Sequence, residues 1–251
     1  DRCTSRGLGD VYKRQNALSP ALFSELNQIV TELSNQTDSV GCVILRGAGR
    51  CFSAGNDLKA VRSGVKAKEK FFQAKTIDLI EKLPQPTIAS VHGHCLTGAL
   101  ELALACDLMI TSESANLADT HGKWGMVPGW GMSVRLPRRV GLLKAKEMMF
   151  TGMSINGLQA VEIGLSSQCV ADDHLKVSTL DLAESIVKNS WHTNFADKKL
   201  FLDNENHFHD ASLKMEREQS ASVASDMHER VKQGFKSCLL YTSDAADDRC
   251  C

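Results

Sequence analysis

Two glycine-containing turns in this sequence carry the residue types needed to stabilise a negatively charged oxygen and to move a proton. The first turn, residues 51–58, follows an apolar segment at 41–45. The second turn, residues 92–98, follows a β-favouring segment at 87–91. Turns between a strand and a helix expose backbone N–H groups, so the two together predict a two-donor oxyanion hole. Glu101 lies about one helical turn beyond the second turn, within reach for proton transfer.

The elements that must position these turns alternate between strand and helix. Ser19 and Pro20 predict a helix start, because serine caps a first turn and proline fits into it. Strands are predicted at 41–45, 87–91 and 108–110, and helices at 98–105, 142–150, 158–163, 177–187 and 211–235, with a further helix that ends before Pro84. This alternation predicts an α/β fold built from right-handed βαβ units.

Four motifs resemble one enzyme family. They are Phe52-Ser-Ala-Gly-Asn-Asp-Leu58, Pro86-Thr-Ile-Ala-Ser-Val-His-Gly93, Gly98-Ala-Leu-Glu-Leu-Ala-Leu-Ala-Cys-Asp107 and Gly125-Met-Val-Pro-Gly-Trp-Gly131. The sequence resembles the crotonase (enoyl-CoA hydratase/isomerase) superfamily without gaps over residues 16–175, and more weakly to about residue 236. The resemblance implies a crotonase-like spiral of repeated ββα units in a core at 16–175, followed by a C-terminal helical region at 176–237.

The same resemblance assigns roles to residues of the two turns. The oxyanion donors are expected to be the backbone N–H groups of Asn56 and Gly98, and Glu101 matches one of the family's two acid/base glutamates. Ordinary turn amides are the alternative for the two donors. For Glu101, the alternative is a first-turn carboxylate that complements the helix dipole, an effect of roughly 0.3–1 kcal/mol.

His121 occupies the position of the second glutamate of the hydratases. A histidine can act as acid or base near neutral pH, so Glu101 and His121 are predicted to form the catalytic pair. The alternative is a partly buried histidine hydrogen-bonded to Asp119 or to a backbone carbonyl. We assign Trp124, Trp130 and Met126 to the substrate pocket, with a place in the core or in a subunit contact as the alternative.

These assignments predict an enzyme that stabilises the enolate of an acyl-CoA thioester, most simply an enoyl-CoA hydratase or isomerase. The alternatives are hydrolysis or decarboxylation on the same scaffold, which His121 favours, and a non-catalytic CoA-binding relative. The CoA thioester is the substrate, and no cofactor or metal is expected. A peptidase needs a Ser-His-Asp constellation, and Ser53 and Ser90 lack the context for one.

Composition narrows the classes of partner. The formal net charge of −1 argues against nucleic acid and anionic membranes as partners, and no apolar run reaches the 18 residues of a membrane span. The five cysteines between residues 16 and 237 form no C-x-x-C pair, which indicates reduced thiols in a cytoplasm-like compartment. The family resemblance implies a homotrimer or hexamer.

Residues 1–15 and 238–251 are interpreted as segments foreign to the fold. Residues 10–15 can be encoded by GATGTGTATAAGAGACAG, and the reverse complement of that DNA, read in a shifted frame, encodes residues 238–242. This DNA is the end sequence of a transposase used to prepare sequencing libraries. Both segments are therefore predicted to be translated sequencing adapters, and on this interpretation the family's N-terminal strand and loop are missing before Asn16.

Overall fold

The computed structural model describes residues 15–57, 60, 69–204, 209–219 and 224–233. The chain divides into two compact units, Asp1–Val187 and Lys188–Cys251, which are described separately. Apart from Gln15, the predicted adapter segments lie outside the described residues. None of the helices in the described ranges has the length and apolar character needed to cross a bilayer.

The first unit contains seven strands, seven α-helices and a short 3-10 helix among its described residues. The strands are β1 (Val43–Arg46), β2 (Thr87–Val91), β3 (His94–Leu96), β4 (Leu108–Ser112), β5 (Asn116–Ala118), β6 (Ser154–Asn156) and β7 (Gln168–Val170). The helices are α1 (Pro20–Leu33), α2 (Phe72–Glu81), α3 (Gly98–Leu104), the 3-10 helix (His121–Trp124), α4 (Met132–Val140), α5 (Leu142–Thr151), α6 (Gly157–Glu162) and α7 (Leu175–Val187).

The strands of this unit form two sheets, and consecutive strands from β2 to β5 alternate between them. The first sheet has the order β1-β2-β4-β7 with all pairs parallel, and the second has the order β3-β5-β6. In the second sheet β3 and β5 are parallel, whereas β5 and β6 are antiparallel. The chain therefore runs from β2 to β3 to α3 and then from β4 to β5 towards α4. This architecture confirms the predicted α/β fold of repeated ββα units.

The central strand β2 explains why the sequence forms a buried parallel sheet. All five of its residues are buried, as expected for a strand covered on both faces. Ala89 and Val91 belong to the main core, while Ile88 packs with Ile110 and Leu175 in a second cluster. Helix α7 covers that second face. For this reason the compact unit extends to Val187, beyond residue 175, where the sequence analysis ended the core.

Local sequence accounts for the ends of several helices. The Ser19 hydroxyl accepts a hydrogen bond from the Leu22 N–H at 3.2 Å, and Pro20 occupies the first helical position, as predicted. Asn156 and Gln159 form a reciprocal capping box at the start of α6.

The second unit contains α8 (Trp191–Asn204) and α9 (His209–Gln219), which pack against each other. The rings of Trp191 and Phe195 stack with centroids 6.0 Å apart on α8. The structure is helical over part of the predicted range 211–235, but residues 224–226 are not helical. Residues 227–233 are helical again. The sequence of this region is polar and contains no proline that would break a helix, so it offered no signal for the interruption.

Candidate active site

The two predicted turns meet at the start of α3. The Ser53 N–H donates to the His94 carbonyl at 2.9 Å, so the first turn runs alongside β3. Gly55 then approaches the second turn closely at a φ of +92°. A Cβ atom on Gly55 would lie 2.5 Å from the Leu96 oxygen and 3.6 Å from the Gly98 nitrogen. Only glycine permits both this φ and this close approach, so the two turns can lie against each other because residue 55 is a glycine.

The backbone N–H groups of Asn56 and Gly98 lie on these joined turns. Asn56 follows Gly55 directly, and Gly98 is the first residue of α3. Within the part of the chain that the structure describes, neither N–H donates a hydrogen bond to another residue. Both are thus available to an external acceptor, which is the arrangement that an oxyanion hole requires.

Glu101 is buried at the centre of the site, in the first turn of α3. Its Oε1 accepts the Trp130 N–H at 2.8 Å and the Met132 N–H at 3.1 Å. Burial raises the pKa of Glu101, while the hydrogen bonds from Met132 and Trp130 and the nearby His121 oppose that rise. A carboxyl group that is held in place and kept from water is suited to give or take a proton in a reaction.

His121 lies between two carboxylates. Its Nδ1 is 2.6 Å from the Oδ1 of Asp119, and its Nε2 is 3.7 Å from the Oε2 of Glu101. Both His121 and Asp119 are buried. A carboxylate only accepts hydrogen bonds, so Nδ1 carries a proton that it donates to Asp119, and Nε2 is the ring nitrogen that faces Glu101. The ring therefore makes both contacts that the sequence analysis treated as alternatives.

Trp130 is the predicted pocket residue that lies against Gly98. A Cβ atom on Gly98 would be 2.5 Å from Cζ3 of the Trp130 ring. The same ring packs edge-on against Phe23 with centroids 5.0 Å apart. Trp124 is 61% exposed, and Met126 is half-buried with its N–H donating to the His121 carbonyl at 3.0 Å. The pocket roles of Trp124 and Met126 stay predictions.

Arg135 supports the turn that holds Glu101, and the sequence analysis missed it. Its Nη1 donates to the Trp130 carbonyl at 2.7 Å, while Nε and Nη2 bind both oxygens of Glu81. Burial lowers the pKa of the Arg135 guanidinium, but its bonds to Glu81 and Asp78 outweigh burial and raise it. These carboxylates lie more than fifty positions earlier in the chain, so no local motif marked the contact.

The titratable side chains of the site contact each other and backbone N–H groups. Among the described residues, no group of three or more histidine, cysteine, aspartate and glutamate side chains is placed to hold a metal ion. The nearest titratable groups, Glu101, His121 and Asp119, are engaged with each other and with backbone N–H groups. What the arrangement offers is proton transfer beside two free amide donors.

Comparison with known proteins gives a consistent result. A family model described as enoyl-CoA hydratase/isomerase matches residues 11–239. A probable enoyl-CoA hydratase of Bacillus subtilis is 33% identical over 230 residues, which cover 89% of this chain and 88% of that protein. A probable peroxisomal enoyl-CoA hydratase of Arabidopsis thaliana is 33% identical over 177 residues, 66% of its own length.

A solved structure agrees with these sequence matches. The crystal structure of an enoyl-CoA hydratase from Bacillus anthracis has a TM-score of 0.83 and 34% identity, with coverage of 90% of this chain and 89% of that one. The chain belongs to the enoyl-CoA hydratase/isomerase family, the crotonase superfamily, and is an acyl-CoA-processing enzyme of that type.

Proposed function

We propose that this enzyme moves protons at the α-carbon of an acyl-CoA thioester through an enolate, in the hydration of a 2-enoyl-CoA or the isomerisation of its double bond. The single observation that carries the proposal is the approach of His121 Nε2 to within 3.7 Å of Glu101 Oε2, next to the free amide of Gly98. Enolate formation needs a base at the α-carbon and donors at the thioester oxygen, and the site provides both.

The two amides and the acid/base pair have distinct roles in this scheme. The thioester oxygen accepts hydrogen bonds from the N–H groups of Asn56 and Gly98, where each donor contributes on the order of 3–4 kcal/mol as negative charge develops. In hydration, His121 takes a proton from water as the water oxygen bonds to the β-carbon. Glu101 then delivers a proton to the α-carbon, which discharges the enolate.

Asp119 is a positioning residue in this proposal. It accepts the Nδ1–H of His121 at 2.6 Å and also the backbone N–H of His121 at 3.1 Å. These two bonds fix the orientation and the tautomer of the ring, so that Nε2 remains the basic nitrogen. In isomerisation the same nitrogen takes a proton from one carbon of the acyl chain and delivers it to another carbon.

Thioester hydrolysis is the second candidate. The observation that favours it is the Asp119–His121 pair, in which a buried carboxylate orients a histidine base. Such a base activates water for attack on an acyl carbon whose oxygen is already held by two amides. Decarboxylation would use the same amides with less need for His121, and a CoA-binding relative without activity would need neither Glu101 nor His121.

Three parallel assays on one protein sample separate these reactions. Loss of 2-enoyl-CoA with gain of 3-hydroxyacyl-CoA reports hydration, conversion between 3-enoyl-CoA and 2-enoyl-CoA reports isomerisation, and release of free CoA thiol reports hydrolysis. Hydration or isomerisation at a rate far above thiol release is the expected result. Thiol release as the fastest reaction would replace the first candidate with the second.

Exposed apolar side chains on α5 support self-association. Leu143 and Phe150 are 84% and 81% exposed and lie two helical turns apart, on one face of the helix. Val127, close before α4 in sequence, is 87% exposed. Large apolar side chains at these positions are typical of a subunit contact, so we propose the trimer or hexamer that the sequence predicted. Sedimentation of wild type and of Leu143→Glu, which should dissociate, tests this proposal.

The remaining partners and the compartment are proposals that rest on the sequence. A CoA thioester is proposed as the sole small-molecule partner, without nucleic acid or membrane, in line with the net charge of −1. The cytoplasm stays the predicted compartment. Relatives named as peroxisomal in Arabidopsis thaliana and mitochondrial in Dictyostelium discoideum indicate that members of this family work in several compartments. Imaging of the tagged protein in its own cell would decide.

A further inference from the structure

Thr97 has an unusual backbone conformation immediately before the oxyanion glycine. Its φ of +56° and ψ of −110° are those of the first central residue in a type II′ turn, a position that favours glycine. Among the described residues, the other non-glycine positions with positive φ are Asn16 and Phe71. Thr97 alone of the three is β-branched, so its conformation is the most strained.

A set of hydrogen bonds to the segment after β5 holds Thr97 in this conformation. The Thr97 N–H donates to the Ala118 carbonyl at 2.8 Å. The Thr97 hydroxyl accepts the Thr120 N–H at 3.1 Å and is also hydrogen-bonded to the Thr120 hydroxyl. Thr97 is buried, so water cannot easily replace these bonds. The partner segment, residues 118–120, leads directly into His121.

The conformation of Thr97 sets the direction of the Gly98 N–H. The Thr97 carbonyl accepts the Glu101 N–H at 3.0 Å and therefore points into α3. The peptide between Thr97 and Gly98 is planar and trans, so the Gly98 N–H points the opposite way, out of the helix. A rotation at Thr97 would turn this N–H away from the position that a thioester oxygen must occupy.

We propose that Thr97 is a positioning residue. Its hydroxyl bonds to Thr120 hold a strained backbone that directs the Gly98 N–H and fixes its position relative to His121. This inference rests on the proposed enolate function and deepens it. The oxyanion donor Gly98 follows β3 at the start of α3, whereas His121 follows β5 at the start of the 3-10 helix. The Thr97–Thr120 pair joins the two sides.

Three substitutions separate the strain from the hydrogen bonds that oppose it. Thr97→Ser keeps the hydroxyl. Thr97→Val keeps the β-branched shape and the strain but loses the hydroxyl, so the backbone can relax. Thr97→Gly loses the hydroxyl but adopts positive φ without strain. Thr179→Val is the matched control, because Thr179 is also a buried threonine with hydroxyl hydrogen bonds, to Leu175 and Ser90, in an ordinary helix.

The readouts are kcat and KM for deuterium exchange at the acyl-CoA α-carbon, with the fraction of folded protein measured for each variant. We expect Thr97→Val to lower kcat by about 10- to 100-fold with little change in KM, part of what a whole oxyanion donor contributes. Thr97→Ser should retain most of the activity. The kcat of Thr97→Gly should be several-fold higher than that of Thr97→Val, although the glycine removes more of the side chain. Thr179→Val should keep the wild-type kcat.

Equal kcat for folded Thr97→Val and wild type would overturn the proposal, as would a kcat for Thr97→Gly at or below that of Thr97→Val. The amide resonance of Gly98, followed by NMR on labelled protein, tests the proposal without turnover. It should shift in Thr97→Val and return towards the wild-type position in Thr97→Gly, and an unmoved resonance in Thr97→Val would refute the positioning role. Wild-type protein that fails to exchange would refute the enolate function, while the Gly98 resonance would still decide the role of Thr97.

Discussion

Replacement of Gly98 by alanine tests whether the first residue of α3 is an oxyanion donor that must be reached closely. The added Cβ would lie 2.5 Å from Cζ3 and 3.0 Å from Cε3 of the Trp130 ring. The shorter distance is about 1 Å below the carbon–carbon contact of about 3.5 Å. The ring is not free to retreat, because it packs against Phe23, and its backbone N–H binds Glu101.

Two separate penalties follow from the added methyl group. Overpacking of this kind lowers the free energy of unfolding by about 1–3 kcal/mol. The methyl group also displaces the thioester oxygen from the Gly98 N–H, and the loss of one oxyanion donor lowers kcat by about 10²–10³. The two penalties have different origins, since the first depends on Trp130 and the second does not.

A double-mutant cycle with Trp130→Leu separates the two penalties. Urea denaturation measures stability, and α-carbon exchange measures turnover, for Gly98→Ala, Trp130→Leu and the double variant. The leucine makes room for the methyl, so we expect the two changes to be less destabilising together than the sum of the single changes. The kcat of the double variant should stay far below that of Trp130→Leu. If Gly98→Ala costs no turnover in the Trp130→Leu background, the amide of Gly98 is not the donor.

Four further predictions concern the acid/base pair and the groups that hold it in place. Glu101→Ala should lower the free energy of unfolding by about 1–3 kcal/mol for each backbone N–H left unpaired, whereas Glu101→Gln keeps an acceptor and should cost little, as measured by urea denaturation. Burial raises the pKa of Glu101 above its unfolded value, so wild-type stability should fall as pH rises from about 4 through the folded pKa, and Glu101→Gln should lack this loss. A matching pH dependence in both proteins would contradict it. Arg135→Met should destabilise by about 2–3 kcal/mol in thermal unfolding, at the low end for a broken buried pair because Glu81 is partly solvated. Asp119→Asn should lower kcat by about 10- to 100-fold at nearly unchanged Tm, and an unchanged kcat would show that His121 needs no orienting carboxylate.

Local sequence predicted the elements that carry the two turns. The structure places β2 at Thr87–Val91, as predicted, and starts α3 at Gly98. Both elements have strong local signals, a β-favouring apolar run and a helix-forming segment after glycine. The three-residue strands β3, β5, β6 and β7 were not predicted, because they are too short to show a clear alternation and depend on pairing between distant segments. Helix α4 was hidden by Pro137 in its last turns.

The sequence named the residues of the candidate site but not the contacts that support them. The structure brings Glu101 and His121 together and joins the turns that carry Asn56 and Gly98, while the catalytic roles of these residues stay predictions. The contacts that hold these groups come from far along the chain. Glu101 is held by N–H groups about thirty residues later, and Arg135 binds carboxylates more than fifty residues earlier. Contacts between such distant residues produce no short-range sequence pattern, so only the folded structure shows them.

Deuterium incorporation at the α-carbon of acyl-CoAs, followed by mass spectrometry in heavy water, tests the central claim most directly. Wild type, Glu101→Gln and His121→Ala are compared at equal folded concentration, with Thr179→Val as the control. The proposed enolate chemistry predicts exchange in wild type, a loss of roughly 100-fold or more in Glu101→Gln, and a loss in His121→Ala. Exchange that persists in Glu101→Gln, or no exchange in a wild-type protein that binds CoA, would contradict it.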